Sequence, residues 1–266
     1  MSAVIGRATL APVLATPGVR AEQVTQLVSG ETGSVLEAAG AWRRVRLHED
    51  SYEGWIHEGY LIEVAAGEAD AWRARAAWSG GVLVQVGTER RWLPLRARVA
   101  LADGEVEFPG GQSGRVLRGE VRPLTRGHAE ARQVPPEEWA RTRFSAAPYL
   151  WGGITPAGVD CSGLVQTTWL ARGVRLPRDA SRQAELGGEV PFASMRAGDL
   201  LFFRGESGDD ISHVAFAGPD ATLIHSAIAI GGVTQESWLP GHRAAALMGR
   251  LAVIRRLGEA DGIRPA

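Results

Sequence analysis

The 266-residue chain has no lysine and one cysteine, Cys161. Without lysine, no side chain can form a Schiff base or act as an amine nucleophile. With one thiol, no internal disulfide can form, which suits a reducing compartment. Charge of one sign is not in excess either: 29 basic residues, all arginine, stand against 30 acidic ones. That balance gives no footprint for nucleic acid or an anionic membrane. No stretch approaches the roughly 20 apolar residues of a membrane span. The opening residues M-S-A-V-I-G-R-A-T-L-A-P have no basic leader, and Gly6, Arg7 and Pro12 break the apolar run. They do not read as a signal peptide, and a cytoplasmic protein is expected.

What is present falls into two styles. Residues 1–65 read as short strands between turns: Val24–Val28, Trp42–Leu47, Gly54–Ile56 and Tyr60–Val64. Close spacing of short strands points to a small all-β barrel. Residues 66–126 continue in the same manner, with Val82–Val86, Arg91–Leu95, Val106–Phe108 and Val116–Leu117, and a second barrel is expected. Residues 127–136, ending in Pro135-Pro136, read as a linker. From 137 the pattern changes. Glu137-Glu138-Trp139 opens a helix. Cys161, Leu164, Val165, Thr168 and Trp169 fall on one helical face, and Gly173 is a stop. Asp179–Leu186 reads as a shorter helix, followed by strands at Asp199–Phe203, His213–Ala217, Ala221–Ser226 and Leu251–Arg255. The fold class is therefore multidomain: two all-β barrels, then an α+β domain over 137–257 and a tail at 258–266.

Cys161 sits at the start of its helix. Unpaired backbone N–H groups and the helix dipole there favour the thiolate, the nucleophilic form. A lone cysteine is also a common buried apolar residue. A nucleophile needs a base, and six histidines are available. Two stand apart. His213 and His225 flank Gly218-Pro219-Asp220, a turn cluster. A three-residue loop closed by Ala217 opposite Ala221 sets the two rings directly across from each other, about 5 Å apart at Cβ. One ring can then take the cysteine proton while the other fixes its tautomer. The same three residues could formally bind zinc, but no C-x-x-C or H-E-x-x-H pairing accompanies them, and neither metal nor cofactor is expected.

The order of motifs now becomes specific. Tyr149–Gly153, Gly158–Val165, Leu176–Ser181, Gly198–Phe203, His213–Phe216 and Ile224–Ala227 resemble the signature of the NlpC family of cell-wall cysteine peptidases. The resemblance implies a papain-like catalytic domain, with Cys161 as nucleophile, His213 as base and His225 as its orienter. The first half resembles bacterial SH3-type barrels. The layout resembles γ-D-glutamyl-L-diamino acid endopeptidases that act on muropeptides in murein recycling. It implies a muropeptide as the partner and a requirement for a free N-terminal L-alanine. By the same resemblance Asp179 and Tyr60 would hold the peptide ammonium; Glu22, in the first barrel, is a candidate further acid. Trp151 would line the groove, and Asp160, Ser162 and Arg178 would lie near the substrate. The backbone N–H of Cys161 is one oxyanion donor, and Tyr149 is a candidate for another.

Each assignment has a plainer counterpart. Asp179 could cap the helix that follows it. Tyr60 and Trp151 could be packing residues, and Arg178 a structural ion pair. Three other functions share parts of this pattern: a secreted wall-lytic enzyme, an amidase or acyltransferase on the same scaffold, and a non-catalytic binding protein.

Overall fold

The computed structural model describes residues 2–206 and 208–263. The chain divides between Gly127 and His128 into two compact units.

In the first unit, β1 (Ser2–Gly6), β2 (Leu10–Leu14), β3 (Gln23–Val28), β4 (Thr32–Ala39), β5 (Trp42–Leu47), β6 (Glu53–His57) and β7 (Leu61–Ala65) form one antiparallel sheet. Its order is β3-β2-β6-β5-β4-β1-β7. Strand β5 shows why the alternation is legible. Val45 and Leu47 turn into the core, while Arg44 and Arg46 turn out to Glu53. Then comes α1 (Ala66–Arg75), which the strand-only reading of 66–126 does not contain. Its ten residues are alanine-rich, a strong helix preference, but only Ala69 and Trp72 are buried, too few to mark a face. Strands β8 (Ala76–Val86), β9 (Glu89–Ala102), β10 (Glu105–Glu107), β11 (Ser113–Arg118) and β12 (Val121–Pro123) make a second sheet. Because β11 pairs with both β10 and β8, four strands close on themselves.

A buried network joins the two sheets. The Arg96 guanidinium meets Glu31 at 2.5 Å, both side chains 1% exposed. Arg98 reaches Glu49, and its backbone N–H bonds Ser29. Trp72 of α1 donates its indole N–H to the Gly30 carbonyl. Gly30 is required there: its φ is +78°, and a Cβ would lie 2.1 Å from the Arg98 oxygen.

Much of the region expected as a linker over 127–136 is helical. Helix α2 (Leu124–Arg132) occupies most of it, and α3 (Pro136–Arg143) follows, with Pro136 in its first turn. Pro135-Pro136 breaks the chain between two helices, and the six residues before that break are mostly good helix formers.

The second unit continues with β13 (Ile154–Thr155), β14 (Gly158–Val159), α4 (Cys161–Ala171), α5 (Ala180–Gln183), β15 (Gly188–Glu189), β16 (Leu200–Arg204), β17 (Ile211–Ala217), β18 (Thr222–Ala227), β19 (Gly232–Ser237), α6 (Ala245–Met248) and β20 (Leu251–Arg256). The main sheet has the order β15-β20-β16-β17-β18-β19, antiparallel throughout. Helix α4 packs against β17 and β18 and is buried on every side, not only on the apolar face. Its polar residues find partners inside: Thr167 bonds the Ile154 carbonyl, Gln166 that of Leu176 and Thr168 that of Leu164. Gly173 ends it at φ +84°, as expected. The tail is partly built in, because Ile263 donates its N–H to the Arg175 carbonyl.

The β17–β18 hairpin departs from the expected register. Ala217 faces Leu223 and Phe216 faces Ile224. The loop is five residues, with Asp220 and Ala221 left-handed and Thr222 bonding Pro219 and Gly218. The slip is two residues, so His213 and His225 are diagonal neighbours and not opposite ones. An even slip preserves side-chain parity, so both rings still share a face.

Candidate active site

The site is assembled at the start of α4. Asp160, in extended conformation, caps the helix by accepting the Gly163 N–H at 2.7 Å. Gly163 cannot be replaced without displacement, since a Cβ would lie 2.1 Å from the Gly153 oxygen. The Asp160 carboxylate also accepts the Gly152 N–H at 2.8 Å and the Ser162 hydroxyl at 3.3 Å. Arg178 grips both of its oxygens, at 3.1 and 2.5 Å, and donates to the Ser162 hydroxyl at 2.8 Å. This closed set of bonds holds the turn that presents Cys161.

Cys161 is buried. Burial pushes its thiol up to about 12, and the neighbouring Asp160 charge adds to the rise. The backbone N–H groups of Val214 and Ser162 act against it. The helix-end effect expected to yield a thiolate is therefore outweighed by desolvation. The Val214 N–H reaches the sulfur from β17, and His213 is the residue before it on that strand. Burial pushes His213 down to about 3, with repulsion from His225, Arg250 and Arg243 in the same direction. The resting pair is a neutral thiol and a neutral imidazole.

His213 Nε2 lies 2.8 Å from His225 Nδ1, the rings edge to face with centroids 5.0 Å apart. That bond leaves Nδ1 of His213 as the nitrogen available to the thiol. His225 is fully buried, and its Nε2 lies 2.9 Å from Glu236 Oε2. Arg243 holds Glu236 through Nε to Oε1 at 3.0 Å and through Nη2 to Oε2. The sequence reading has no counterpart for Glu236 or Arg243. Thr234 faces His225 across β18–β19, and Glu236 lies two residues on, on the same face. That parity was available in the sequence, but the turn that sets the register was not. The Tyr149 phenol is pushed up to about 12 by burial, then by the charges of Cys161 and Asp160. It stays protonated, a hydrogen-bond donor in the field of Cys161.

Residues 146–249 match the NlpC/P60 family, and residues 13–61 match the bacterial dipeptidyl-peptidase SH3 domain. The second unit is an NlpC/P60 domain. The chain is 46% identical over 84 residues to the γ-D-glutamyl-L-lysine dipeptidyl-peptidase of Bacillus subtilis (strain 168), covering 31% of this chain and 28% of that one. It is 26% identical over 222 residues to the enzyme of the same name from Bacillus cereus (strain ATCC 10987), covering 76% of this chain and 66% of that one. The chain thus spans less than two thirds of the length of either relative. In fold it is similar to the crystal structure of an NlpC/P60 family protein from Bacillus cereus ATCC 10987. The TM-score is 0.79 at 20% identity, over 96% of this chain and 99% of that one.

Within the NlpC/P60 domain the remaining expected residues separate into two kinds. Asp160, Ser162 and Arg178 are at most 7% exposed and bonded to one another. Together they form the internal brace of the α4 turn, and Asp160 and Ser162 flank Cys161 in the chain. Trp151 is 57% exposed on the turn before Gly152, so it is not a packing residue. Asp179 is exposed at the head of α5 and makes no side-chain cap bond to it, so capping is not its role. Tyr60 belongs to the first unit, partly exposed, with its ring edge-on to His57.

Proposed function

We propose that the protein is a cysteine endopeptidase that hydrolyses the γ-D-glutamyl-L-diamino acid bond of cell-wall peptides, with preference for a free N-terminal L-alanine. The observation that carries this reading is the His213–His225 hydrogen bond beside a cysteine at a helix start, in an NlpC/P60 domain. The match to the dipeptidyl-peptidase SH3 domain and the names of the two Bacillus relatives supply the bond type. The closed second sheet is read as a second SH3-type barrel.

In this reading Cys161 passes its proton to His213 Nδ1 as the sulfur attacks the γ-glutamyl carbonyl. Because thiol and imidazole rest neutral, the transfer accompanies attack and does not precede it. The oxyanion is met by the Cys161 N–H, with the protonated Tyr149 phenol as the second donor. His213 then returns the proton to the leaving amine of the diamino acid and activates water against the thioester. Asp179 offers an exposed carboxylate for the peptide ammonium, while Trp151 flanks the peptide. A role in recycling places the enzyme in the cytoplasm, where a single free cysteine is stable.

The test is mass spectrometry of products from L-Ala-γ-D-Glu-L-diamino acid tripeptides, with and without an acetylated N-terminus. Release of L-Ala-D-Glu from the free peptide only is expected. Equal cleavage of both peptides, or of intact wall, would refute the ammonium requirement, and no cleavage of either would refute the assignment.

A further inference from the structure

We propose that Glu236, clamped by Arg243, is a positioning residue that sets the tautomer of both histidines and so makes His213 Nδ1 the base. This role rests on the proposed function of Cys161 and His213 as a proton-transfer pair. A carboxylate can only accept. Glu236 Oε2 lies 2.9 Å from His225 Nε2, so that nitrogen carries the proton. A neutral imidazole has one N–H, so Nδ1 of His225 is bare. It faces His213 Nε2 at 2.8 Å, and this nitrogen must therefore be the donor. His213 in turn has a bare Nδ1, the one ring nitrogen left to accept the thiol proton. Reversing the chain at any link would point an N–H at Cys161, and His213 could not then take its proton. His225 is fully buried, and both of its ring nitrogens already meet protein partners.

Arg243 is what keeps the end of the chain fixed. It bonds both Glu236 oxygens, so the carboxylate is ionised and its rotation is locked. Burial alone pushes the Glu236 carboxyl up, but the bonds from Arg243 and His225 overcome it and hold the group below its ordinary range. The anion also acts on His225, whose imidazolium it favours against the burial that opposes it. Arg250 and Arg243 are the cations that His213 feels, and both disfavour its imidazolium.

The experiment needs no substrate. Nitrogen-15 histidine spectra near neutral pH assign the protonated nitrogen of each ring, and alkylation by iodoacetamide reports the only thiol. In the wild type, His213 and His225 should both carry hydrogen on Nε2; hydrogen on Nδ1 of His213 overturns the proposal without any variant. Glu236→Leu should give mixed tautomers at both rings and slow alkylation on the order of tenfold. Glu236→Gln still offers an oxygen where Arg243 Nη2 and His225 Nε2 converge. It should keep the wild-type tautomers and fall between the two in alkylation rate. Unchanged tautomers in the Leu variant, or Gln behaving as Leu, overturns the proposal. A wild type that shows these tautomers but cleaves no γ-glutamyl peptide leaves this inference standing and removes the proposed function instead.

Discussion

Replacing Arg178 by Met removes both guanidinium bonds from Asp160 and leaves a carboxylate 4% exposed without its counter-ion. Three donors remain on Asp160: the N–H groups of Gly152 and Gly163, and the Ser162 hydroxyl. They solvate the charge but do not neutralise it. Breaking a buried pair on one side costs about 3–5 kcal/mol, most of it the stranded charge. With a urea dependence of about 2 kcal/mol per molar, the unfolding midpoint should fall by roughly 2 M. Cys161 makes the measurement specific. It is the only thiol and is buried in the second unit, so pulse alkylation along a urea series reports the unfolding of that unit alone. The double change Asp160→Asn with Arg178→Met keeps a capping oxygen for Gly163 and removes both charges, so it should be more stable than Arg178→Met. A shift under about 0.5 M for Arg178→Met, or a double variant no better than the single one, would show that the pair does not hold the helix start.

Cys161→Ala should abolish tripeptide turnover while leaving the circular dichroism melt intact; residual turnover would remove the nucleophile assignment. Asp179→Ala should raise KM for a free-amine tripeptide by roughly 10- to 100-fold, the worth of one charged hydrogen bond; an unchanged KM would remove Asp179 from the ammonium site. His213 is pushed from 6.5 down to about 3, and His225 is also lowered. Between those values the unfolded chain takes up protons that the folded one refuses, so the second unit should lose stability as pH falls from about 6.5 towards 3. A urea midpoint that stays level from pH 7 to pH 4 would contradict this. Glu137 shows the opposite sign. Burial raises its pKa, and its Oε2 is buried with no hydrogen-bond partner among the described residues. Glu137→Gln should leave stability at pH 8 unchanged or higher, by the same assay.

The parts of this fold that could be read from residues alone are those where a pattern repeats within one element. Trp42–Leu47 alternates, and Cys161 to Trp169 recurs at helical spacing, so both elements appear where expected. Helix α1 lacks such a signal because only Ala69 and Trp72 of its ten residues are buried. The histidine pair was legible through parity, which survives an even slip in register, although the loop length itself was not. Electrostatics were the least accessible. The helix dipole at Cys161 can be inferred from sequence, but the burial that overrides it depends on how the folded chain encloses the sulfur, with the Asp160 charge adding to it. Arg178 and Asp160 lie eighteen residues apart, and their bond became visible only with both in place.

The protonated state of Cys161 has a consequence for how long such an enzyme lasts. Peroxides attack thiolates, and a thiol held at about 12 is almost never one at neutral pH. A cysteine enzyme of the low-pKa kind is open to sulfenic and sulfinic damage whenever it is idle. Here the idle enzyme should be the durable form. Exposure to oxidant without substrate should spare it far longer than an acidic thiol would be spared.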